Sequence, residues 1–388
     1  MSNTALHTNS PPVFSLEVNL STLTSGLSAV ASLVNRSGTI VANPSDYYVS
    51  VSRLVIGQTQ RIPMWQPQLN PQIPYNDGYN TVYCVNLQYG SVTSGKVFLR
   101  VINEDNTVFP PTTPTPTAPT TGWGDVYSYN TICQMVNNAL ITAYAQLVEN
   151  LGDTITLDPN PPYMTWDPIS QFFTMNCFPM SQYDQTTGAD VVKIYFNNEY
   201  RPFLLGWDIQ IENNQTNTAT GMDNLLLLKN LGNNYTPQST PPLEVPIDSD
   251  AVMLQMSQNI SCPFCFVALS KIQVVTSLPT AYPCLSDLPL ALQGSSFNNQ
   301  TTPILIDILV DYSAGGASSF QQPISYSATS DIWSSPIKLG GNSPIAQFAI
   351  AVQWVNIQGQ IFPLQTMGLG NSSIKFVFTH KSIIEKSL

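Results

Sequence analysis

Charge is what this sequence lacks most. Of its 388 residues, 10% are Asp, Glu, Lys or Arg, against roughly 25% in ordinary soluble proteins. Thirteen basic residues face 24 acidic ones, for a formal net charge of −11. No Lys or Arg precedes Arg36, and no basic run occurs. Nucleic-acid binding by phosphate neutralisation needs clustered Lys and Arg, so direct contact with a genome is not expected. Histidine is nearly absent as well: only His7 and His380 occur, both near the chain ends. A Ser-His-Asp or Cys-His arrangement needs a rigidly held imidazole, as does a histidine metal site, so neither is expected. No apolar run reaches the roughly 18–20 residues of a membrane span. Residues 1–12 are polar and lack the charged and apolar regions of a secretory signal. The expectation is a protein assembled inside a cell and not secreted.

The remaining chemistry-bearing residues form no constellation. Six cysteines stand at positions 84, 133, 177, 262, 265 and 284. Most lie in apolar stretches, as buried free thiols do in a reducing compartment. Cys262 and Cys265 have the spacing of half a zinc site or a redox pair. With Cys284 as a third ligand and no histidine near, the set is incomplete. Asp307 and Asp311 fall on one face of an expected strand about 13 Å apart, too far for a glycosidase pair. Glu104-Asp105 and Asp248 with Asp250 read as solvated turn acids rather than calcium ligands. Gly315-Gly316 and Gly340-Gly341 lack the lysine and helix of a phosphate-binding loop. Seven Asn-x-Ser/Thr sequons follow from the abundance of Asn and Thr. The expectation is no enzyme, no metal and no cofactor.

What the sequence does contain is strand signal. The apolar fraction is an ordinary 43%, with 31 Pro and 17 Tyr, and Asn, Gln, Ser and Thr stand in for the missing charge. Good helix formers are scarce, which favours short strands and turns. Alternation marks strands at 13–20, 47–56, 80–89 and 96–103. More follow at 171–178, 190–196, 204–211 and 224–228. A later group covers 252–258, 264–275, 304–312, 323–328, 346–355, 361–364 and 374–379. Residues 21–40 show no lasting period. Residues 109–122, FPPTTPTPTAPTTG, contain five prolines and read as an extended spacer. One amphipathic helix is expected at 125–151, from Ile132, Val136, Leu140, Ala143, Leu147 and Leu151 at spacings of three and four. Asp125 is the expected cap and Gly152 the stop.

These strands fall into two blocks about the Pro- and Gly-rich loop 230–246. The expected fold is mainly β: two antiparallel jelly-roll sandwiches in tandem, with one amphipathic helix inserted. The boundaries are an arm at 1–12, a first jelly roll at 13–245 carrying the 109–122 loop and the helix, and a second at 246–388. Low charge suits subunits that bury their faces against one another, because desolvating an unpaired charge is costly.

Several segments carry a resemblance. They are NPSDYYVSVSRLVI (43–56), YNTICQMVNNALITAYAQL (129–147), VVKIYFNNEYRPFLL (191–205), ILVDYS (308–313), FAIAVQWVNIQGQIFPLQ (348–365) and IKFVFTHK (374–381). Together the chain resembles jelly-roll capsid proteins of double-stranded DNA viruses of eukaryotes, of the polinton-like, virophage and adenovirus-like kind. The resemblance implies an icosahedral shell component of the virion.

Two shell roles fit. A double jelly-roll major capsid protein would form pseudo-hexameric trimers, and a penton would form a pentamer with one jelly roll and an insertion. Two strand blocks put the trimer first. Partners are then other copies and other capsid proteins, with an internal membrane or cement proteins as further candidates. Trp354, Tyr47, Tyr48, Phe196 and Phe376 are the expected core or assembly residues, and Trp65 and Trp123 the expected surface contacts. An attachment protein is the third reading, with Trp65, Tyr75, Tyr79 and Trp123 as a sugar-stacking platform.

Overall fold

A computed structural model of the chain describes residues 12–22, 30–35, 38–57, 62–70, 80–102, 122–187, 190–204, 206–212, 225–228, 235–238, 252–260, 266, 268–281, 285–286, 302–309, 324–328, 336–364 and 372–384. The arm 1–11, most of the proline-rich loop, and Cys262, Cys265 and Cys284 lie outside them. The fold is mainly β and its strand pairs are antiparallel. The chain forms two compact units, but not one after the other. The first comprises 1–62 and 268–388, and the second is the stretch between, 63–267.

These bounds differ from the expected division at 245/246, and two pairings account for the difference. The strand Val13–Thr22 pairs with Ser372–His380 over eight positions, from Val13 opposite Thr379 to Leu20 opposite Ser372. The two ends of the chain thus build one sheet. Across the expected boundary, Tyr235–Gln238 pairs with Met253–Ser257, which keeps both in the second unit.

In the first unit the path of hydrogen-bonded strands starts at Leu285–Ser286. It runs through Thr302–Leu309, Leu269–Thr276, Gln347–Asn356, Val30–Asn35, Val13–Thr22, Ser372–His380 and Tyr47–Ile56 to Ile324–Ser327. Val13–Thr22 serves two neighbours: its last residues, Ser21 and Thr22, pair instead with Ala31 and Val30. A strand that changes partners along its length is how a sheet turns a corner into a sandwich. Alternation aims the side chains: Leu16, Val18 and Leu20 are buried while Ser15, Glu17 and Asn19 face out. The core holds Val49, Leu54, Ile56, Ile272, Val274, Ile350, Val352 and Phe376. Phe14 stacks on Phe378 at 4.8 Å, and Phe348 meets Phe376 edge-on at 5.8 Å.

The second unit has two sheets and the long helix. One sheet runs Ile209–Glu212, Leu225–Leu228, Val192–Asn197, Asn80–Tyr89 and Val92–Thr93, with Val97–Arg100 also paired to Asn80–Tyr89. The other runs Tyr235–Gln238, Met253–Ser257, Phe172–Cys177 and Tyr163–Asp167. The helix Tyr129–Leu151 packs against strands of both. Its Ile132, Met135, Val136, Ala139, Leu140, Ala143 and Leu147 are buried, the stripe read from the sequence.

The helix starts four residues later than expected. Ser128, not Asp125, caps it: the Ser128 hydroxyl accepts the Thr131 N–H at 3.1 Å. Asp125 instead accepts a hydrogen bond from Gln66 Nε2 at 2.9 Å. Gly152, at φ +62°, ends the helix and returns its N–H to the carbonyls of Val148 and Glu149.

Several strand assignments change, and Tyr235–Gln238 is a strand inside the stretch 230–246 expected to be a loop. Leu204 and Trp207 lie in tight turns, with Leu204 N–H bonded to the Tyr200 carbonyl and Trp207 N–H to that of Leu204. The strand begins only at Ile209. Pro202 precludes a regular ladder, and at Gly206 a Cβ would fall 2.4 Å from the Ile260 carbonyl. Conversely Val30–Asn35, in the stretch without a period, is a strand.

Candidate functional site

Among the described residues, the side chains able to do chemistry are buried or spent on structure. His380 packs edge-on to Tyr47 at 5.2 Å, and its Nδ1 lies 2.8 Å from the Ser382 hydroxyl. Asp307 pairs with Lys271 at 3.0 Å, and Asp311 lies outside the described residues. Among the described residues no group of three His, Cys, Asp or Glu could hold a metal ion. Cys84, Cys133 and Cys177 are free and buried. Burial pushes the Cys84 and Cys133 thiols from 9.0 up to about 12, and Cys177 higher still. A thiol held protonated is neither nucleophile nor ligand at neutral pH.

Trp65 is the residue most displaced from its expected role. Expected at the surface, it is 5% exposed. Its ring lies 5.2 Å from Tyr83, 5.5 Å from Phe203 and 5.6 Å from Phe266. Phe203 and Phe266 stack at 4.4 Å, and Phe173 stands 5.3 Å from Phe266. The backbone explains the burial. Residues 64–69 run antiparallel to 122–126, with Trp65 N–H bonded to the Val126 carbonyl at 3.0 Å and Val126 N–H to the Trp65 carbonyl at 2.9 Å. The backbone of this piece is paired, and residues 62–67 are buried. Gly124 fits there because a Cβ would approach Val101 to 2.6 Å.

Trp65, Phe173, Tyr200, Phe203, Trp207 and Phe266 contribute walls to an apolar cavity of about 20 Å³. That is the room of a single water and too little for a cofactor. Its lining is apolar, so this is a packing feature of the core.

The other expected residues are placed as follows. Trp354 is buried and stacks on Phe362 at 4.5 Å. Tyr47, Phe196 and Phe376 are buried, Tyr48 half-buried. Trp123 is half-buried and its backbone pairs with Gln68, while Tyr75 and Tyr79 lie outside the described residues. Tyr47, Tyr48, Trp354 and Phe376 belong to the first unit, and Trp65, Trp123 and Phe196 to the second. What the chain presents is surface, including exposed aliphatic side chains that sequence reasoning had not singled out. Val13, Leu309 and Ile357 belong to the first unit, and Ile141, Val148, Ile155, Ile169, Ile211 and Ile260 to the second. On Tyr129–Leu151 the signal was available, since Ile141 and Val148 lie off its buried stripe.

With this fold in place, the comparisons with known proteins become decisive. The sequence pattern of the Sputnik minor capsid protein V18/19 matches residues 14–380. The chain belongs to the Sputnik V18/19 minor capsid protein family. The uncharacterized protein V18 of Sputnik virophage is 36% identical over 121 residues, covering 29% of this chain and 70% of V18. A chain of the Sputnik virophage structure solved by cryo-EM superimposes with a TM-score of 0.73 at 25% identity, over 97% of this chain and 99% of that one. The mavirus penton protein shares the fold at a TM-score of 0.58 and 14% identity, over 95% of this chain and 98% of that one. The V18/19 member described here is thus a virophage-type capsid protein, and its place is the virion. The strand-rich, antiparallel architecture fits a jelly-roll fold. Among its described residues no helix is long and apolar enough to cross a membrane.

Proposed function

We propose that this chain is the five-fold vertex component of a virophage capsid, a penton that closes as a ring of five copies and has no catalytic role. One observation carries the reading: the strand Val13–Thr22 pairs with Ser372–His380, so the second unit is an insertion between the two ends of the first. A trimeric major capsid protein presents six-fold-like symmetry by following one sandwich with another. A nested chain has one sandwich built from its ends and a different body inserted. The second unit is not a copy of the first, since its two sheets flank a 23-residue helix. The family's description as minor capsid protein and the penton title of a fold relative agree with this. The vertex role therefore replaces the trimeric tile as the leading reading. The partners are other copies of the chain and neighbouring capsid proteins.

Native mass spectrometry of the purified full chain tests it. A species of five times the 42.5 kDa chain mass is expected at assembly concentrations. A stable species of three chain masses would restore the trimeric tile, and a monomer at all concentrations would contradict the ring.

A further inference from the structure

Charge is divided unevenly between the two units. Residues 63–267 carry 17 acidic and 5 basic side chains, net −12. Residues 1–62 and 268–388 carry 7 and 8, net +1. The acidity of the chain therefore belongs to the second unit.

That unit also carries the outward face of the helix Tyr129–Leu151. Ile141 and Val148 are 52% and 41% exposed, and the exposed Ala145 lies between them. Positions i, i+4 and i+7 form one stripe about 10 Å long. The stripe borders the exposed Glu149 in the last turn, and exposed Asp153 and Ile155 follow the helix. No Lys or Arg occurs in the helix. Amphipathic helices dock through aliphatic anchors at this spacing, and an acidic field selects for cations around those anchors. A second copy placing its own second unit here would bring another net −12 to the contact, which like-charge repulsion opposes. A basic segment meets no such penalty.

We propose that the outward face of the helix Tyr129–Leu151 is a docking site for a basic amphipathic segment of another protein. Aliphatic side chains of that segment cover Ile141, Ala145 and Val148, and its Lys and Arg meet Glu149 and Asp153. The site lies within the second unit and does not depend on the ring of five.

Fluorescence anisotropy tests this with the full chain and a labelled helical Leu/Lys amphipathic peptide as probe. A scrambled peptide of the same composition is the control. Saturable binding is expected, at least about tenfold tighter than the scrambled peptide and at least about tenfold weakened by the double variant Ile141→Ser, Val148→Ser. Glu149→Lys, at a helix C-terminus where a cation is favourable, should also weaken it. Binding should fall as ionic strength rises from about 0.01 M to about 0.15 M. Circular dichroism checks that each variant is folded, and the Glu149→Lys and salt arms stand if the double variant is not. Equal affinity for both peptides would overturn the proposal, as would indifference to the substitutions. Loss of the chain's own oligomer in the double variant would overturn it in favour of a second copy covering the stripe.

Discussion

Side-chain amides do much of the work that charge does elsewhere. Asn137 donates from Nδ2 to the Met164 carbonyl at 2.9 Å and accepts the Met164 N–H on Oδ1 at 2.6 Å. It pairs with a strand residue as another strand would. Asn197 accepts the Cys84 N–H at 3.0 Å and donates to the Val82 carbonyl at 2.7 Å. Those groups fall where the ladder between Asn80–Tyr89 and Val97–Arg100 shifts register. Gln258 accepts the Phe173 N–H at 2.9 Å, and Gln353 donates to Gln273 at 2.9 Å between buried side chains. A carboxylate could fill only the accepting half of such a bond pair, and its burial would be costly.

Asn197→Leu should therefore destabilise by about 2–4 kcal/mol, because two backbone groups lose their partners. Urea unfolding with an unchanged m-value checks it. Trp354→Ala should cost about 3–5 kcal/mol as a buried aromatic is removed, and the same assay reads it. Buried acids give a pH dependence. The Cys84 and Cys133 thiols are raised from 9.0 to about 12 by burial, and the Tyr183 and Tyr200 hydroxyls are raised well above 10.0. These groups hold their protons more tightly folded than unfolded. Their stabilisation is thus full below about pH 9 and is lost as pH rises towards 12. Thermal unfolding across that range should show a steep alkaline decline, and a flat profile would contradict the burial. At this scale the sequence marked which residues are apolar, but not that Trp65 turns inward. That depends on the pairing of 64–69 with residues some sixty positions away.

Elements were legible where their period is long and their ends are punctuated. Tyr47–Ile56 and Asn80–Tyr89 lie where alternation puts them. The helix was found from its stripe, and its start was misplaced because Asp125 and Ser128 are both good caps by type. A single contact separates them, the Ser128 hydroxyl to the Thr131 N–H. Ser128→Ala should cost about 1 kcal/mol of stability as an N-cap loss. Asp125→Ala should leave helix capping intact and remove only the hydrogen bond from Gln66. Chemical denaturation of the two variants checks the order, and a larger helix-terminus loss for Asp125→Ala would reverse the assignment. Leu204 and Trp207 read as strand because they are apolar, whereas short-range hydrogen bonds from their N–H groups close the chain into turns. Val30–Asn35 was missed because the Ser/Thr-rich residues around it hide a six-residue strand.

At the scale of the molecule, period reveals that a strand has a buried face but not which strand lies beside it. The strands after residue 246 therefore looked like a second sandwich, when Ser372–His380 completes the sheet that Val13–Thr22 begins. Pairing partners 350 or more positions apart leave no local mark. The family resemblance is readable from segments spread along most of the chain, and the nesting on which the proposed vertex role rests is not. The net acidity has a location: the first unit is near neutral, while the inserted unit carries it. The most direct test of a nested chain closing into a vertex ring is electron microscopy of the purified oligomer viewed down its symmetry axis. The account predicts five-fold averages with one copy of the chain per sector, and three-fold averages with a hexagonal outline would contradict it.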